Sequence, residues 1–238
     1  DIDEITEVPD PVTFYKEYVH PDKPIKMKKA VVDHPAFTKW TDKYFLKLDI
    51  PPNTQVEVEY HKKEIRGIPT KAVNFKVFVT THRKSQLYMI GSVPNFLRKD
   101  LRLQHCLQCG DMVNKMIDTA IMWFSGGGTS SVVHVDSYHN LNCVYRGSKH
   151  FVLVNPHKYQ HLSHIDRLEG GYSSVDVDSV DMRKYPGLAK VEYIHAHIDA
   201  GDCLYIPYGW IHQVRSFNSN IATNIWWQGI ADFDLDTC

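Results

Sequence analysis

The chain has 238 residues, 43% of them hydrophobic and 23% charged, with a formal net charge of -1 and a pI near 7.0. That profile suits an ordinary globular protein able to bury a core, and one domain over residues 1–238 is expected. The near-neutral charge argues against nucleic acid as a partner, and no apolar run approaches the roughly 20 residues needed to cross a bilayer.

Residues 1–55 read as helical decoration. Pro9-Asp10-Pro11 precedes a stretch from Val12 to Tyr18 whose apolar positions recur at helical spacing, and Phe37, Trp40, Tyr44, Phe45 and Leu48 suggest a second amphipathic helix. Pro51-Pro52 stops it. The period then changes to two: Gln55 to Tyr60 alternates cleanly and Ala72 to Val79 nearly so, which predicts two strands. Short helices are expected from Val93 to Lys115.

From Ile117 onward the chain is strand-rich. Segments 120–124, 141–145, 150–154, 190–198, 202–206 and 221–226 are separated by Gly126-Gly127-Gly128, Gly147, Pro156, Gly170-Gly171, Gly201 and Pro207. Many short strands behind helices predict a mainly β protein with helical decoration, a double-stranded β-helix (cupin or jelly-roll barrel) with its core over 117–228. The triple glycine predicts a mobile loop. Five widely spread cysteines do not read as a disulfide framework, and Cys106 and Cys109 read as ordinary thiols on one helical turn. An intracellular home, cytoplasmic or nuclear, is expected.

His134-Val135-Asp136 carries the chemistry. On a strand, positions i and i+2 point to one face, so imidazole and carboxylate can reach a common point. A histidine on a later strand would complete a two-His-one-carboxylate face with open positions for a chelating cosubstrate and O₂. His212, beyond the Gly201–Trp210 strand and turn, is that histidine. Taken alone, H-x-D is a weak motif. His195-Ala196-His197 has the same spacing without matching surroundings and reads as a solvated strand face.

The surroundings strengthen the H-x-D motif. Residues 134–156 (HVDSYHNLNCVYRGSKHFVLVNP), 200–214 (AGDCLYIPYGWIHQV) and 220–227 (NIATNIWW) resemble the JmjC oxygenases, in particular the small stand-alone lysyl hydroxylases. Residues 9–24 and 37–46 extend the likeness to the N-terminal region. The resemblance implies an Fe(II)- and 2-oxoglutarate-dependent dioxygenase with iron on His134, Asp136 and His212. It also implies that Lys149 pairs with the distal carboxylate of 2-oxoglutarate and that Tyr88 and Ser131 share that carboxylate. Asn140 and Asn224 match polar residues near cosubstrate and iron. Tyr138 and Trp123 are candidate substrate contacts, whereas Trp210, Trp226 and Trp227 read as core and pocket wall.

The implied partner is a protein whose side chain, a lysine, is hydroxylated; a translation-associated GTPase is one candidate. Demethylation of N-methyl-lysine is the alternative enzymatic reading, and a non-catalytic cupin binding module is the alternative from another class. Specificity is expected in loops 61–72 and 157–190. An unmodified ammonium needs an acidic partner, for which Asp166, Glu169, Asp176 and Asp178 are candidates.

Overall fold

The computed structural model describes residues 2–65, 67–159, 173, 175–229 and 234–238. Among these, eleven strands form one sheet. They are β1 (Glu4–Ile5), β2 (Ile25–Met27), β3 (Gln55–Glu59), β4 (Lys71–Asn74), β5 (Tyr88–Ser92), β6 (Ile117–Ser125), β7 (Thr129–Ser130), β8 (His139–Val154), β9 (Ile194–Asp199), β10 (Cys203–Ile206) and β11 (Ile211–Trp227).

The two long strands, β8 and β11, organise everything else. They pair antiparallel along most of their length. The first half of β8 pairs with β10 and its second half with β9, while β11 pairs first with β7 and then with β6. One pair of strands therefore serves two sheet portions. The change occurs at Gly147 and at the irregular register between Phe217 and Ala222. Gly147 has φ +73°, and a Cβ there would stand 2.7 Å from the Phe217 and Ser219 carbonyl oxygens. Only glycine tolerates both the backbone and the close approach. The sequence read residues 141–145 and 150–154 as separate strands, with Gly147 between them. In the fold that glycine bends one continuous strand.

Several other expectations are met with altered boundaries. Pro11–Phe14 is α-helical and continues as a π-helical turn over Tyr15–Val19, with Asp10 Oδ1 accepting from the Val12 and Thr13 amides at 3.0 Å. The second amphipathic stretch is two short helices, Pro35–Lys39 and Asp42–Leu46, because Thr41 caps the latter. Short helical turns occupy Asn95–Arg98, His105–Leu107 and Met112–Met116.

The strand expected over Ala72–Val79 is corrected. Only Lys71–Asn74 is strand, and Phe75–Thr81 is α-helix. Asn74 Oδ1 accepts from the Lys76 and Val77 amides, an N-cap the alternating pattern hid. Phe75, Phe78 and Val79 then bury a helical i, i+3, i+4 face. Aromatic packing ties this helix to the sheet, with Phe124 against Phe78 at 5.0 Å and against Phe45 at 5.5 Å. The strand expected from Lys190 begins only at Ile194, since Pro186–Lys190 forms a 3₁₀ turn.

Two more readings are corrected. Gly127 does not act as slack: at φ +88°, its Cβ would lie 2.0 Å from the Asn218 carbonyl oxygen, and a Cβ on Gly126 would lie 2.4 Å from that of His82. These glycines permit close packing of the loop rather than mobility. The cysteines are also mostly paired, as Cys143–Cys203 and Cys109–Cys238, leaving Cys106 as the buried free thiol. Cys143 and Cys203 are 60 residues apart in sequence but face each other in the β8–β10 register. No helix among the described residues is long and apolar enough to cross a membrane.

Candidate metal centre

The bend in β8 and β11 creates the site. Because it changes which residues face inward, Asn140 and Asn142 from one half of β8 line the same pocket as Lys149 and Phe151 from the other. On β11, His212, Val214 and Ser216 face this pocket, as do Asn224 and Trp226. Tyr88 and Ile90 of β5 and Trp123 of β6 supply another wall, and the volume is about 200 Å³.

His134 is not on a regular strand. It forms an isolated bridge with His212, with reciprocal backbone hydrogen bonds of 2.9 Å. The two imidazole rings are consequently 4.2 Å apart, and Asp136 reaches both: Oδ1 lies 3.8 Å from His134 Nε2 and Oδ2 lies 3.5 Å from His212 Nε2. Ligand atoms of all three lie within 4.8 Å of one another, close enough as they stand to hold a metal ion.

Backbone carbonyls orient both rings. His134 Nδ1 is 2.8 Å from the Val132 oxygen and His212 Nδ1 is 2.9 Å from the Trp210 oxygen. A carbonyl only accepts, so each Nδ1 carries the proton and each Nε2 turns a lone pair toward Asp136. Burial opposes charge on His212, but a protonated Nε2 would donate to Asp136, and that hydrogen bond with the carboxylate charge outweighs burial and raises the His212 pKa. The donor set of two Nε2 atoms and one carboxylate, on one side of a partly apolar pocket, fits a divalent iron with open positions.

Lys149 is 3% exposed, and its ammonium donates to Ser216 Oγ at 2.9 Å. Ser216 is its register partner across β8 and β11. Burial lowers the Lys149 pKa to about 7, with no carboxylate opposing the shift. A buried ammonium whose hydrogen-bond partner among the described residues is one hydroxyl suits an anionic ligand.

The remaining predicted residues divide. Tyr88 and Ser131 line the pocket; burial, aided by Glu59 and Glu64, raises the Tyr88 pKa well above its ordinary value. Ser131 Oγ accepts from the Val214 amide at 2.9 Å, leaving its own proton to donate. Asn224 Oδ1 accepts from Trp123 Nε1 at 3.0 Å and from Asn142 Nδ2. Trp123 is thereby held as pocket wall. Asn140 Oδ1 and Asn142 Oδ1 are buried without a hydrogen-bond partner among the described residues. Tyr138 stands outside the lining but stacks on Trp226 at 5.3 Å, so Trp226 is wall while Trp227 is fully buried core.

Asp176 and Asp178 do not serve the pocket. Both bind Lys63 at 3.0 Å and Asp178 also binds Arg215. Asp166 and Glu169 lie outside the described residues. Besides Asp136, the carboxylates lining the pocket are Glu59, at the end of β3, and Glu64, whose Oε2 accepts from the Val132 amide. Neither was singled out in the sequence, and no local pattern marks them. Asn142 and Ser216 were also missed, although each is spaced for the same face as a predicted residue, Asn142 two after Asn140 and Ser216 four after His212.

Comparison with known proteins bears on what this pocket is. Residues 11–233 match the family model for the cupin-like domain. The human bifunctional peptidase and (3S)-lysyl hydroxylase JMJD7 is 26% identical over 95% of this chain and 83% of its own length. The Arabidopsis thaliana lysine-specific demethylase JMJ30 is 25% identical over 92% of this chain, which spans 53% of that relative. Human tRNA wybutosine-synthesizing protein 5 is 24% identical over 90% of this chain and 74% of its own length. The X-ray structure of E. coli ycfD superposes with TM-score 0.58 at 14% identity, over 94% of this chain and 54% of that one, which speaks for the fold alone. The double-stranded β-helix expected from the sequence is thus met, and the chain belongs to the cupin-like domain family as a JmjC-type member.

Proposed function

We propose that this chain is an Fe(II)- and 2-oxoglutarate-dependent dioxygenase that hydroxylates a lysine side chain of a protein partner. One observation carries the reading: three ligand side chains converge on the pocket into which a buried ammonium, Lys149, also projects. A site built only to bind metal has no physical need for that cation, whereas a dicarboxylate cosubstrate needs one. His134, Asp136 and His212 would hold the iron. Lys149, with hydroxyls from Tyr88, Ser131 and Ser216, would hold the distal carboxylate, and Asn140, Asn142 and Asn224 would complete the polar wall.

Bound iron with 2-oxoglutarate and O₂ supplies oxidative decarboxylation to succinate and CO₂ coupled to oxygen insertion into a C–H bond. The protein's part is geometric and electrostatic. The Val132 and Trp210 carbonyls fix the imidazole tautomers, Phe151 and Val214 keep the pocket wall apolar, and Lys149 orients the cosubstrate.

Glu59 and Glu64 beside Tyr88, Trp123 and Trp226 make an acidic, aromatic lining suited to a cationic side chain. Carboxylates reward the N–H donors of an unmodified ammonium, which a trimethylated lysine lacks. This supports hydroxylation over demethylation. The test incubates the iron-loaded protein with 2-oxoglutarate and matched unmodified and methylated lysine peptides, including segments of translation-associated GTPases. Succinate with a product heavier by one oxygen atom is expected. Formaldehyde release with loss of a methyl group would replace this reading with demethylation.

A further inference from the structure

On the opposite face of the same sheet lies a cluster of histidines that the pocket does not use. Strand β9 pairs antiparallel with the second half of β8, placing His197 opposite His150 and His195 opposite Val152. Along β9, Ala196 and Ile198 are fully buried while His195 and His197 are exposed. Along β8, Lys149 and Phe151 line the pocket, so His150 between them points away from it. Three imidazoles thereby share one outward patch. The His150 ring lies 5.3 Å from that of His195, nearly parallel, and 4.7 Å from that of His197. His150 Nε2 and His195 Nδ1 are 3.2 Å apart.

We propose that His150, His195 and His197 form a second divalent transition-metal site, taking zinc(II) or a similar imidazole-preferring ion. Two imidazole nitrogens about 2.0–2.1 Å from a tetrahedral zinc stand roughly 3.4 Å from each other, close to the His150–His195 separation. A pair at i and i+2 on one strand plus a residue across from it on the next gives three ligands on one face, which is what strand periodicity and pairing provide here. As they stand, the three rings do not all bring a ligand nitrogen within 4.8 Å of one another, and His197 would complete the set by turning its exposed ring about its side-chain torsions. The all-nitrogen donor set selects zinc, copper, nickel or cobalt over calcium and magnesium. Burial, then the neighbouring His197, His195 and Arg215, lower the His150 pKa, keeping its lone pairs available near neutral pH. The nearby positive charge of Arg215 is offset by its ion pair with Asp178.

Three protein ligands leave a fourth position open. His150 and His195 also line a cavity of about 520 Å³, walled by Val152, Val180, Met182 and Tyr193. A metal at the cluster would pin the edge strand β9 to β8, directly behind Lys149. The site is independent of the iron reading, since it shares no ligand with His134, Asp136 and His212.

The test uses untagged protein, stripped with chelator, loaded with zinc(II), passed through metal-free buffer and assayed for bound zinc per chain. Wild type is compared with His195→Asn/His197→Asn and with His150→Gln, all at exposed or half-buried positions. Both variants should hold one equivalent fewer than wild type. Cobalt(II) loading should show the same loss from the visible bands of tetrahedral cobalt. Circular dichroism verifies the fold, and His195→Asn alone provides a milder variant. Equal zinc in wild type and variants, whatever the total, would overturn the site and return the cluster to a solvated strand face.

Discussion

Replacing Lys149 with methionine tests the proposed cosubstrate anchor through stability as well as binding. Burial takes the lysine pKa from 10.5 to about 7. The unfolded chain therefore binds this proton up to about pH 10.5 and the folded chain only up to about pH 7. The folded state is penalised in full below pH 7, and the penalty fades as pH rises toward 10.5. At about 1.4 kcal/mol per tenfold change in proton affinity, it reaches about 4 kcal/mol at pH 7. Methionine removes the charge and keeps the length, but gives up the hydrogen bond to Ser216 Oγ, worth about 1.5 kcal/mol for a charged donor. Ligand-free Lys149→Met should then be more stable than wild type at pH 7 by roughly 2–3 kcal/mol, a rise of roughly 5–10 °C in Tm for a chain of this size. The gap should close at about pH 9.5, where the fading penalty equals the lost hydrogen bond, and should not reopen in the variant's favour above it. With Mn(II) in place of iron, 2-oxoglutarate should raise the wild-type Tm and barely move that of the variant, its binding weakened by roughly 2–5 kcal/mol. Differential scanning fluorimetry across pH, with and without 2-oxoglutarate, reads both effects. A variant less stable than wild type at pH 7 would refute the strained-ammonium argument. Unchanged 2-oxoglutarate affinity would place the anchor elsewhere.

Four further outcomes are expected. Asp136→Ala should fall from about one bound Mn(II) per chain to roughly a tenth or less, with circular dichroism unchanged, because it removes the carboxylate between two imidazoles; full occupancy would dissociate the triad from metal binding. Alkylation of the denatured, unreduced protein should label one cysteine, Cys106, and labelling of all five would show that the thiols are free. Removing the Cys143–Cys203 link, which closes a loop of 60 residues, should lower stability by about 4 kcal/mol, measured by urea unfolding of Cys143→Ala/Cys203→Ala. Gly127→Ala should cost several kcal/mol in the same assay, since its Cβ would meet the Asn218 carbonyl at 2.0 Å; a neutral effect would mean that the loop has slack after all.

The sequence by itself determined the parts that depend on local spacing. Alternation over Gln55–Tyr60, turn residues between the later strands and the H-x-D pair are all written within a few neighbouring residues. The resemblance over residues 134–156, 200–214 and 220–227 brought in Lys149, which the pocket places with His212 beside the H-x-D pair. Tertiary structure decided what depends on partners far along the chain. Phe75–Thr81 is helical because its aromatic face meets Phe45 and Phe124, a contact no local pattern displays. Cys143 meets Cys203 only through the β8–β10 register. Glu59 and Glu64 reach the pocket through long-range pairing, Glu59 opposite Tyr88 of β5 and Glu64 beside Ser130 of β7, while Asp176 and Asp178 turn to Lys63. Gly147 looked like a turn because glycine signals backbone freedom without saying how it is used. In the fold, that freedom bends a single strand, so that both of its halves face one pocket.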